Sequence, residues 1–149
     1  MANPLFKGIH QIGVAVKDAT GVAKLYADAF GVEVGDVVRD DTPGIGGVFA
    51  VLDIGDQHIE VMEDVSGDGP IARAIERRGE GLYCIFIEVT DMEAAMKRMR
   101  DAGIQLTDDE PMVVENAEYY GTTYSKALLA WTHPKSTFGV LIELQQFIP

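Results

Sequence analysis

The segment Ile9–Asp18, IHQIGVAVKD, places an alternating strand rich in β-branched residues directly before an aspartate suited to capping a helix. The same order returns at Leu82–Asp91 as LYCIFIEVTD. The distance along the chain between the two capping aspartates is almost the same as that between Gly31 and Gly103, which close the two predicted helices. Matching elements at a nearly fixed offset indicate an internal duplication.

Each copy is predicted to contain one strand, one helix and three further strands. In the first copy these elements are Ile9–Val16, Ala19–Phe30, Val32–Val38, Gly47–Ile54 and His58–Glu63. A short helix, Ile71–Arg78, follows, and the second copy has Leu82–Val89, Asp91–Ala102, a strand opening at Ile104–Leu106, and strands near Ser125–Thr132 and Phe138–Phe147.

We therefore predict an α+β fold in which two paired βαβββ modules enclose a cavity between curled sheets. Residues 1–149 are predicted to form a single domain. Module one covers about residues 5–65, a joint and short helix cover 66–79, and module two covers about 80–149.

The composition is that of an ordinary globular protein, with 47% hydrophobic and 24% charged residues in a chain of 149. No apolar run approaches the roughly 20 residues that span a bilayer, and the N-terminal residues lack the features of a secretory signal. A single cysteine fits a reducing compartment, so the expected location is the cytoplasm. The net charge of −12 repels phosphate backbones, which argues against nucleic acid and favours a small-molecule substrate.

The duplication also gives a candidate site. Gln11 and Cys84 occupy equivalent points of the two opening strands, and Glu60 and Glu143 occupy equivalent points of the two closing strands. We expect these four side chains to define one site. The alternative is that both glutamates occupy ordinary solvent-facing positions, and strand periodicity alone does not choose between the two interpretations.

The closing strands are further apart along the chain than the opening strands, which indicates that the second copy carries roughly ten extra residues. They fall between Pro111 and His133, a segment that contains Tyr119, Tyr120 and Tyr124. The three tyrosines are suited to a lid or aromatic wall over the cavity, which favours a bulkier or ring-containing substrate. Loop packing or a dimer contact is the equal alternative.

The most specific motif in the chain is His133–Thr137, HPKST, followed by Gly139–Leu144, GVLIEL. The accompanying segments are Ile12–Asp18, Pro70–Ala72, Arg78–Leu82 and Asp109–Pro111. Together they resemble the vicinal oxygen chelate superfamily, which includes glyoxalase I and extradiol dioxygenases, and more closely its methylmalonyl-CoA epimerase branch. The resemblance covers nearly the whole chain. Relatives of this kind are commonly dimers, so it also implies a homodimer.

The resemblance implies a divalent metal held by one residue from each of four strands. Carried over position by position, the family's two histidine ligands fall on Gln11 and Cys84, its glutamine or glutamate ligand on Glu60, and its glutamate that is both ligand and base on Glu143. Both histidines are therefore replaced. Zinc, manganese, cobalt and magnesium are the candidate ions for the remaining donors, and we expect the site to be altered or absent. The family's second catalytic carboxylate falls near Gly44.

We interpret the chain as an enzyme for proton transfer at a carbon next to a carbonyl, acting as an epimerase, an isomerase or a lyase on an acyl-CoA or a ring-containing substrate. Glu143 is the predicted base, Glu60 its acid partner or fellow metal ligand, and Gln11 the orienting or coordinating amide. Without a metal, two facing carboxylates in an apolar cavity would share a proton. The resemblance also implies that Lys135 and Ser136 contact an acyl-carrier or phosphate group.

The competing interpretation is a non-catalytic protein of the same fold that binds or sequesters a small molecule. A binding cavity has no general need for two carboxylates, which favours the enzyme. A nucleophilic role for Cys84 is a further alternative. No histidine is placed to activate this thiol, and a cysteine among apolar strand residues is usually a small buried hydrophobe.

Overall fold

The computed structural model describes residues 4–41 and 46–149. In chain order their elements are β1 (Phe6–Ala15), α1 (Ala19–Phe30), β2 (Val34–Asp40), β3 (Gly47–Ile54), β4 (Gln57–Asp64), α2 (Pro70–Arg78), β5 (Gly81–Val89), α3 (Met92–Asp101), β6 (Met112–Tyr119), β7 (Thr122–Trp131), a 3-10 helix (Pro134–Thr137) and β8 (Leu141–Ile148). The predicted α+β class and both βαβββ repeats are confirmed. None of the helices in this part of the chain is long and apolar enough to cross a membrane.

The described residues group into two compact units. The first unit is Gln11–Cys84, and the second joins the described part of Met1–His10 to Ile85–Pro149. Both boundaries fall inside strands, so β1 and β5 each contribute residues to both units. The predicted single domain with an enclosed cavity stays a prediction.

In the first unit the strands lie in the order β2-β3-β4-β1, with β1 parallel to β4 and the other neighbours antiparallel. The core on one face of this sheet includes three small residues of α1 that recur every four positions, Ala19, Ala23 and Ala27. Val61 of β4 belongs to the same core. Because side chains alternate along a strand, Gln11 and Glu60 lie on the face that points away from α1.

In the second unit the strands lie in the order β5-β8-β7-β6, and the β6–β7 and β7–β8 pairs are antiparallel. The core on one face contains the buried side of α3, namely Met92, Ala95 and Met96. Ala130 of β7 and Leu144 of β8 complete this core. Glu143 and Gln145 flank Leu144 in the strand and therefore lie on the face that points away from α3.

The two predicted helix caps are confirmed. Asp18 accepts a hydrogen bond from the backbone N–H of Gly21 at 3.0 Å, and Asp91 accepts one from that of Ala94 at 3.0 Å. Each carboxylate satisfies a donor that has no partner within the first turn of a helix. The equivalent capping in both copies agrees with the duplication predicted from the sequence.

The third strand of the second copy was predicted at the wrong place. Ile104–Leu106 forms only an isolated bridge, from Leu106 to Thr132, and the strand itself is β6. The extra residues of the second copy lie in the longer connections before β6 and before β8, and not between Pro111 and His133 as predicted. The β6–β7 hairpin is the counterpart of the β2–β3 hairpin. Its tip, Tyr120 and Gly121, has φ values of 53° and 74°, which is the type I′ geometry that matches the twist of paired strands.

Candidate active site

Glu60 lies in the middle of β4 among apolar neighbours. Across the β3–β4 ladder it faces Val51, and Met62 follows two residues later on the same face of the strand. Burial raises the pKa of Glu60 to about 7, and a hydrogen bond with the side chain of Gln11 opposes this rise. Glu60 is thus present in both protonated and ionised forms near neutral pH, which is the condition for efficient proton exchange.

Glu143 lies in β8 and is only 9% exposed. Its partner across the β7–β8 ladder is Trp131, whose indole Nε1 donates a hydrogen bond to Oε1 of Glu143 at 2.6 Å. Gln145, two residues further along β8, donates from its Nε2 to Oε2 of the same carboxylate. Each oxygen of Glu143 therefore accepts an N–H, an arrangement that stabilises the ionised carboxylate.

Neither Trp131 nor Gln145 was assigned to the site from the sequence. Gln145 offered a usable signal, because a residue two positions from Glu143 in a strand lies on the same face. Trp131 offered none, because its pairing with Glu143 depends on the register of β7 against β8.

The four residues predicted to form one site belong to different units. Gln11, Glu60 and Cys84 lie in the first unit, and Glu143 lies in the second. Cys84 is 2% exposed, the burial expected of a small hydrophobe. The grouping of all four side chains around one substrate stays a prediction.

The chemistry of these donors does not fit a divalent metal. In place of the two imidazoles that the resemblance implies, Gln11 offers a neutral amide and Cys84 a buried thiol that is 2% exposed, so two of the four donors are poor ligands for a divalent ion. Among residues 4–41 and 46–149, no group of three or more histidine, cysteine, aspartate or glutamate side chains is arranged to hold a metal ion. The second carboxylate that the resemblance places near Gly44 lies outside the described residues.

The segment that contains Lys135 and Ser136 forms the 3-10 helix before β8. Ser136 Oγ accepts from the backbone N–H of Gln105 at 3.0 Å and donates to the backbone oxygen of His133 at 2.9 Å. This hydroxyl therefore ties the 3-10 helix to the segment after α3. Lys135 is exposed, so its ammonium is accessible to an anionic group in solution. Substrate contacts of both residues stay predictions.

The three tyrosines of the hairpin belong to an aromatic cluster within the second unit. Tyr124 stacks on Phe147 with ring centres 4.9 Å apart, and Tyr119 lies 5.1 Å from the same ring. Tyr120 meets the ring of His10 edge to face at 5.6 Å. All three tyrosines are partly buried. They pack together as one group, and their predicted role as a lid or wall over a substrate stays a prediction.

Trp131 also lines a surface cavity of about 380 Å³ in the second unit. The other lining residues are Asp108, Asp109, Glu110, Pro111 and Met112. Three of the six carry carboxylates, so the cavity is strongly acidic. One side chain thus takes part both in the environment of Glu143 and in the wall of an acidic cavity.

Comparison with known proteins gives one family and several similar proteins. The family model described as the Glyoxalase/Bleomycin resistance protein/Dioxygenase superfamily matches residues 10–122. An ethylmalonyl-CoA/methylmalonyl-CoA epimerase of Cereibacter sphaeroides is 29% identical over 140 residues, covering 93% of this chain and 96% of that protein. The mitochondrial methylmalonyl-CoA epimerase of Mus musculus is 26% identical over 148 residues, covering 97% and 77%.

A solved structure is similar over the whole chain. It is the crystal structure of methylmalonyl-CoA epimerase from Mycobacterium tuberculosis, with a TM-score of 0.79 and 25% identity. The match covers 100% of this chain and 93% of that one.

Proposed function

The chain belongs to the Glyoxalase/Bleomycin resistance protein/Dioxygenase superfamily, and on this premise we propose that it catalyses proton transfer at the carbon next to the carbonyl of an acyl-CoA thioester. The resemblance to the epimerase branch is confirmed by relatives that are named as methylmalonyl-CoA epimerases and are similar over nearly the whole chain. Their names supply the acyl-CoA substrate class. The mechanism proposed for this chain uses its own carboxyl and N–H groups alone.

The observation that carries the proposal is the contrast between two glutamates at equivalent strand positions. Glu143 is held by two N–H donors, as suits a base that starts ionised. Glu60 has a pKa of about 7, as suits an acid that starts protonated. Two carboxyl groups in such different environments, one with N–H donors and one with a raised pKa, are the pattern expected of a base and an acid.

In the proposed reaction Glu143 removes the proton from the carbon next to the thioester carbonyl. The electrons of that C–H bond form a C=C bond, and the carbonyl oxygen gains the negative charge of an enolate. Glu60 then delivers its proton to the same carbon, and the enolate returns to a thioester. The products are a protonated Glu143 and an ionised Glu60, which exchange protons with water before the next turnover, so no electrons are gained or lost overall.

We propose that Gln11 acts on Glu60, the acid of the proposed reaction. Its side chain is hydrogen-bonded to Glu60, and this bond lowers the pKa of that carboxyl against the larger effect of burial. The amide therefore orients Glu60 and helps to keep its pKa near neutrality, where proton exchange is most efficient. An isomerase or a lyase would need the same two glutamates, and the first proton transfer is common to all three reactions.

Lys135 is the proposed contact for the phosphate groups of the acyl-CoA, because it is exposed and cationic. Ser136 is proposed to hold the 3-10 helix that carries Lys135, since its hydroxyl already bonds the backbone of Gln105 and His133. A homodimer and a cytoplasmic location stay predictions of the sequence.

The test is exchange of the substrate's hydrogen with solvent. Methylmalonyl-CoA and ethylmalonyl-CoA are incubated in D2O, and deuterium at the carbon next to the carbonyl is measured by mass spectrometry. The wild-type protein should accelerate incorporation, and Glu143→Gln should lose at least about 100-fold of that rate. The matched control is Glu88→Gln, because Glu88 pairs with Lys7 in the same unit and its loss should leave the rate unchanged.

Binding of acyl-CoA without hydrogen exchange would contradict the proposed proton transfer. If the wild-type protein binds acyl-CoA in a calorimeter without accelerating exchange, the chain is a binding protein. Retained affinity in Glu143→Gln would then agree with the sequestering alternative.

A further inference from the structure

We infer that Trp131 and Gln145 are positioning residues that hold the carboxylate of Glu143 for proton transfer, an inference that rests on the proposed function. Both act through Glu143 by hydrogen bonds to its two oxygens. Only the second copy has these two side chains beside its glutamate, because Val51 and Met62 occupy the equivalent positions of the first copy.

Hydrogen bonds hold both oxygens of the Glu143 carboxylate. Trp131 is opposite Glu143 in the antiparallel β7–β8 ladder, and its Nε1 reaches Oε1 at 2.6 Å. Gln145 lies on the same face of β8 and donates to Oε2. A carboxylate has about four lone-pair positions, and these two bonds use one on each oxygen. Two donors on separate oxygens prevent the group from rotating about its terminal bond.

Gln145 is not explained by packing alone. It is 2% exposed, and its Oε1 is a buried atom without a hydrogen-bond partner among residues 4–41 and 46–149. Burying an unsatisfied amide oxygen destabilises a fold, so an apolar side chain would pack here at lower cost. The amide at this position is therefore best explained by its N–H bond to Glu143.

The adjacent residue shows what a structural glutamine looks like in the same strand. Gln146 points to the other face of β8, where its Oε1 accepts from the backbone N–H of Met92 at 2.8 Å. Its Nε2 donates to the backbone oxygen of Thr90 at 3.0 Å. Both ends of this amide are used to hold the start of α3. Gln146 is thus the matched control for Gln145.

The experiment compares Trp131→Phe, Gln145→Met and Gln146→Met by the deuterium-exchange assay and by thermal unfolding. Loss of either donor should lower kcat by about 100-fold and change KM by less than about threefold, because a misplaced base affects the chemical step rather than binding. Gln146→Met should lower the melting temperature and leave kcat unchanged. Trp131→His keeps a ring N–H and should recover part of the loss in Trp131→Phe.

Double variants separate positioning from a general structural effect. Trp131→Phe and Gln145→Met should cause no further loss when added to Glu143→Gln, since both act through the same carboxylate. Single variants within about twofold of wild-type kcat, or losses that multiply with that of Glu143→Gln, would overturn the inference.

A readout without turnover distinguishes this inference from the proposed function. Trp131 is the one tryptophan in the sequence, so fluorescence excited at wavelengths beyond the absorption of the five tyrosines reports its surroundings. Glu143→Gln should shift its emission, because the acceptor of the indole N–H loses its charge. If the wild-type protein shows no exchange activity, the proposed function fails, and an unshifted emission would overturn the bond between Trp131 and Glu143 as well. A shifted emission would show instead that the hydrogen bond between Trp131 and Glu143 forms even though the exchange activity is absent.

Discussion

Glu60 and Glu143 occupy the same place in two copies of one motif, yet their neighbours are of different kinds. Opposite Glu60 stands Val51, and opposite Glu143 stands Trp131. The residue two positions later on the same strand face is Met62 in the first copy and Gln145 in the second. The first glutamate therefore has apolar groups at these two positions, and the second has N–H donors.

The opposite face of the same strands differs much less between the copies. Glu63 accepts from the backbone N–H of Ala19 at 3.0 Å, and Gln146, at the equivalent position of the second copy, accepts from that of Met92 at 2.8 Å. Both bonds satisfy a donor at the start of the helix that packs on that face. The face that packs on α1 or α3 therefore keeps the same kind of helix cap in both copies, whereas the face that points away from these helices gives one residue type two different environments.

The largest effect is expected from giving Glu143 the neighbours that Glu60 has. The double variant Trp131→Val and Gln145→Met removes a large ring and both donors from a buried carboxylate. We expect the free energy of unfolding to fall by about 4 kcal/mol, from the cavity and from the unsatisfied acceptor. Urea denaturation at pH 7 measures it, and a loss below about 1 kcal/mol would show that the two environments are energetically interchangeable.

The next effect is a pH dependence of stability that Glu60 should cause in the first copy. The pKa of Glu60 is raised from 4.5 to about 7, so the folded state holds a proton that the unfolded state has lost over that range. The contribution of Glu60 to stability should therefore be highest below about pH 4.5, fall by about 3 kcal/mol as the pH rises to 7, and level off above it.

Glu60→Gln isolates this contribution from those of the other carboxyl groups. The difference in unfolding free energy between wild type and variant, measured by urea denaturation from pH 4.5 to 8, should follow the titration of Glu60. A difference that does not change with pH would refute the apolar environment described for this residue.

A smaller effect is expected from placing one hydrogen-bond donor beside Glu60 in the first copy. Met62→Gln places an amide beside Glu60, as Gln145 lies beside Glu143. The added N–H bond should favour the ionised form of Glu60 by about 1 kcal/mol and lower its pKa. Carbon-13 NMR titration of the Glu60 carboxyl measures the change, and an unchanged midpoint would mean that the new amide does not reach it.

The smallest difference should be found on the helix face, where the copies agree. Glu63→Met and Gln146→Met each remove the side-chain acceptor at the start of a helix, and Gln146→Met also removes the bond from its Nε2 to the backbone oxygen of Thr90. Glu63→Met should lower the free energy of unfolding by about 1 kcal/mol and Gln146→Met by about 2 kcal/mol, which is about 1 kcal/mol for each bond lost. Thermal unfolding of the two variants side by side measures the losses, and a larger loss in Glu63→Met would contradict the equivalence of the two acceptors.

The repeat made much of this fold predictable. The helix limits Ala19–Phe30 and the strand limits Gly47–Ile54 were predicted as observed, because caps and turn residues mark them in the sequence. The strand β6 was missed, because MVVENAEY mixes polar and apolar residues without clear alternation. Ile104–Leu106 has the composition of a strand, and only the partners available in the folded sheet limit it to a single bridge.

The candidate site was predictable from the sequence to about the same extent as the fold. Glu60 and Glu143 were found because the duplication marks equivalent positions. Their surroundings were not, because a contact such as that of Trp131 with Glu143 arises from the register between strands. The resemblance implied a metal, and the donors present at those positions do not fit one.

The acidic cavity beside Trp131 has a kinetic consequence. An acyl-CoA is an anion, and this chain has a net charge of −12, with Asp108, Asp109 and Glu110 lining that cavity. An acyl-CoA, the proposed substrate, should therefore meet a repulsive field before it reaches any binding group. Dissolved ions shorten the reach of that field to about 10 Å at 0.1 M. Added salt should consequently speed the encounter of protein and substrate, the reverse of the usual behaviour of an enzyme that attracts its substrate by opposite charge.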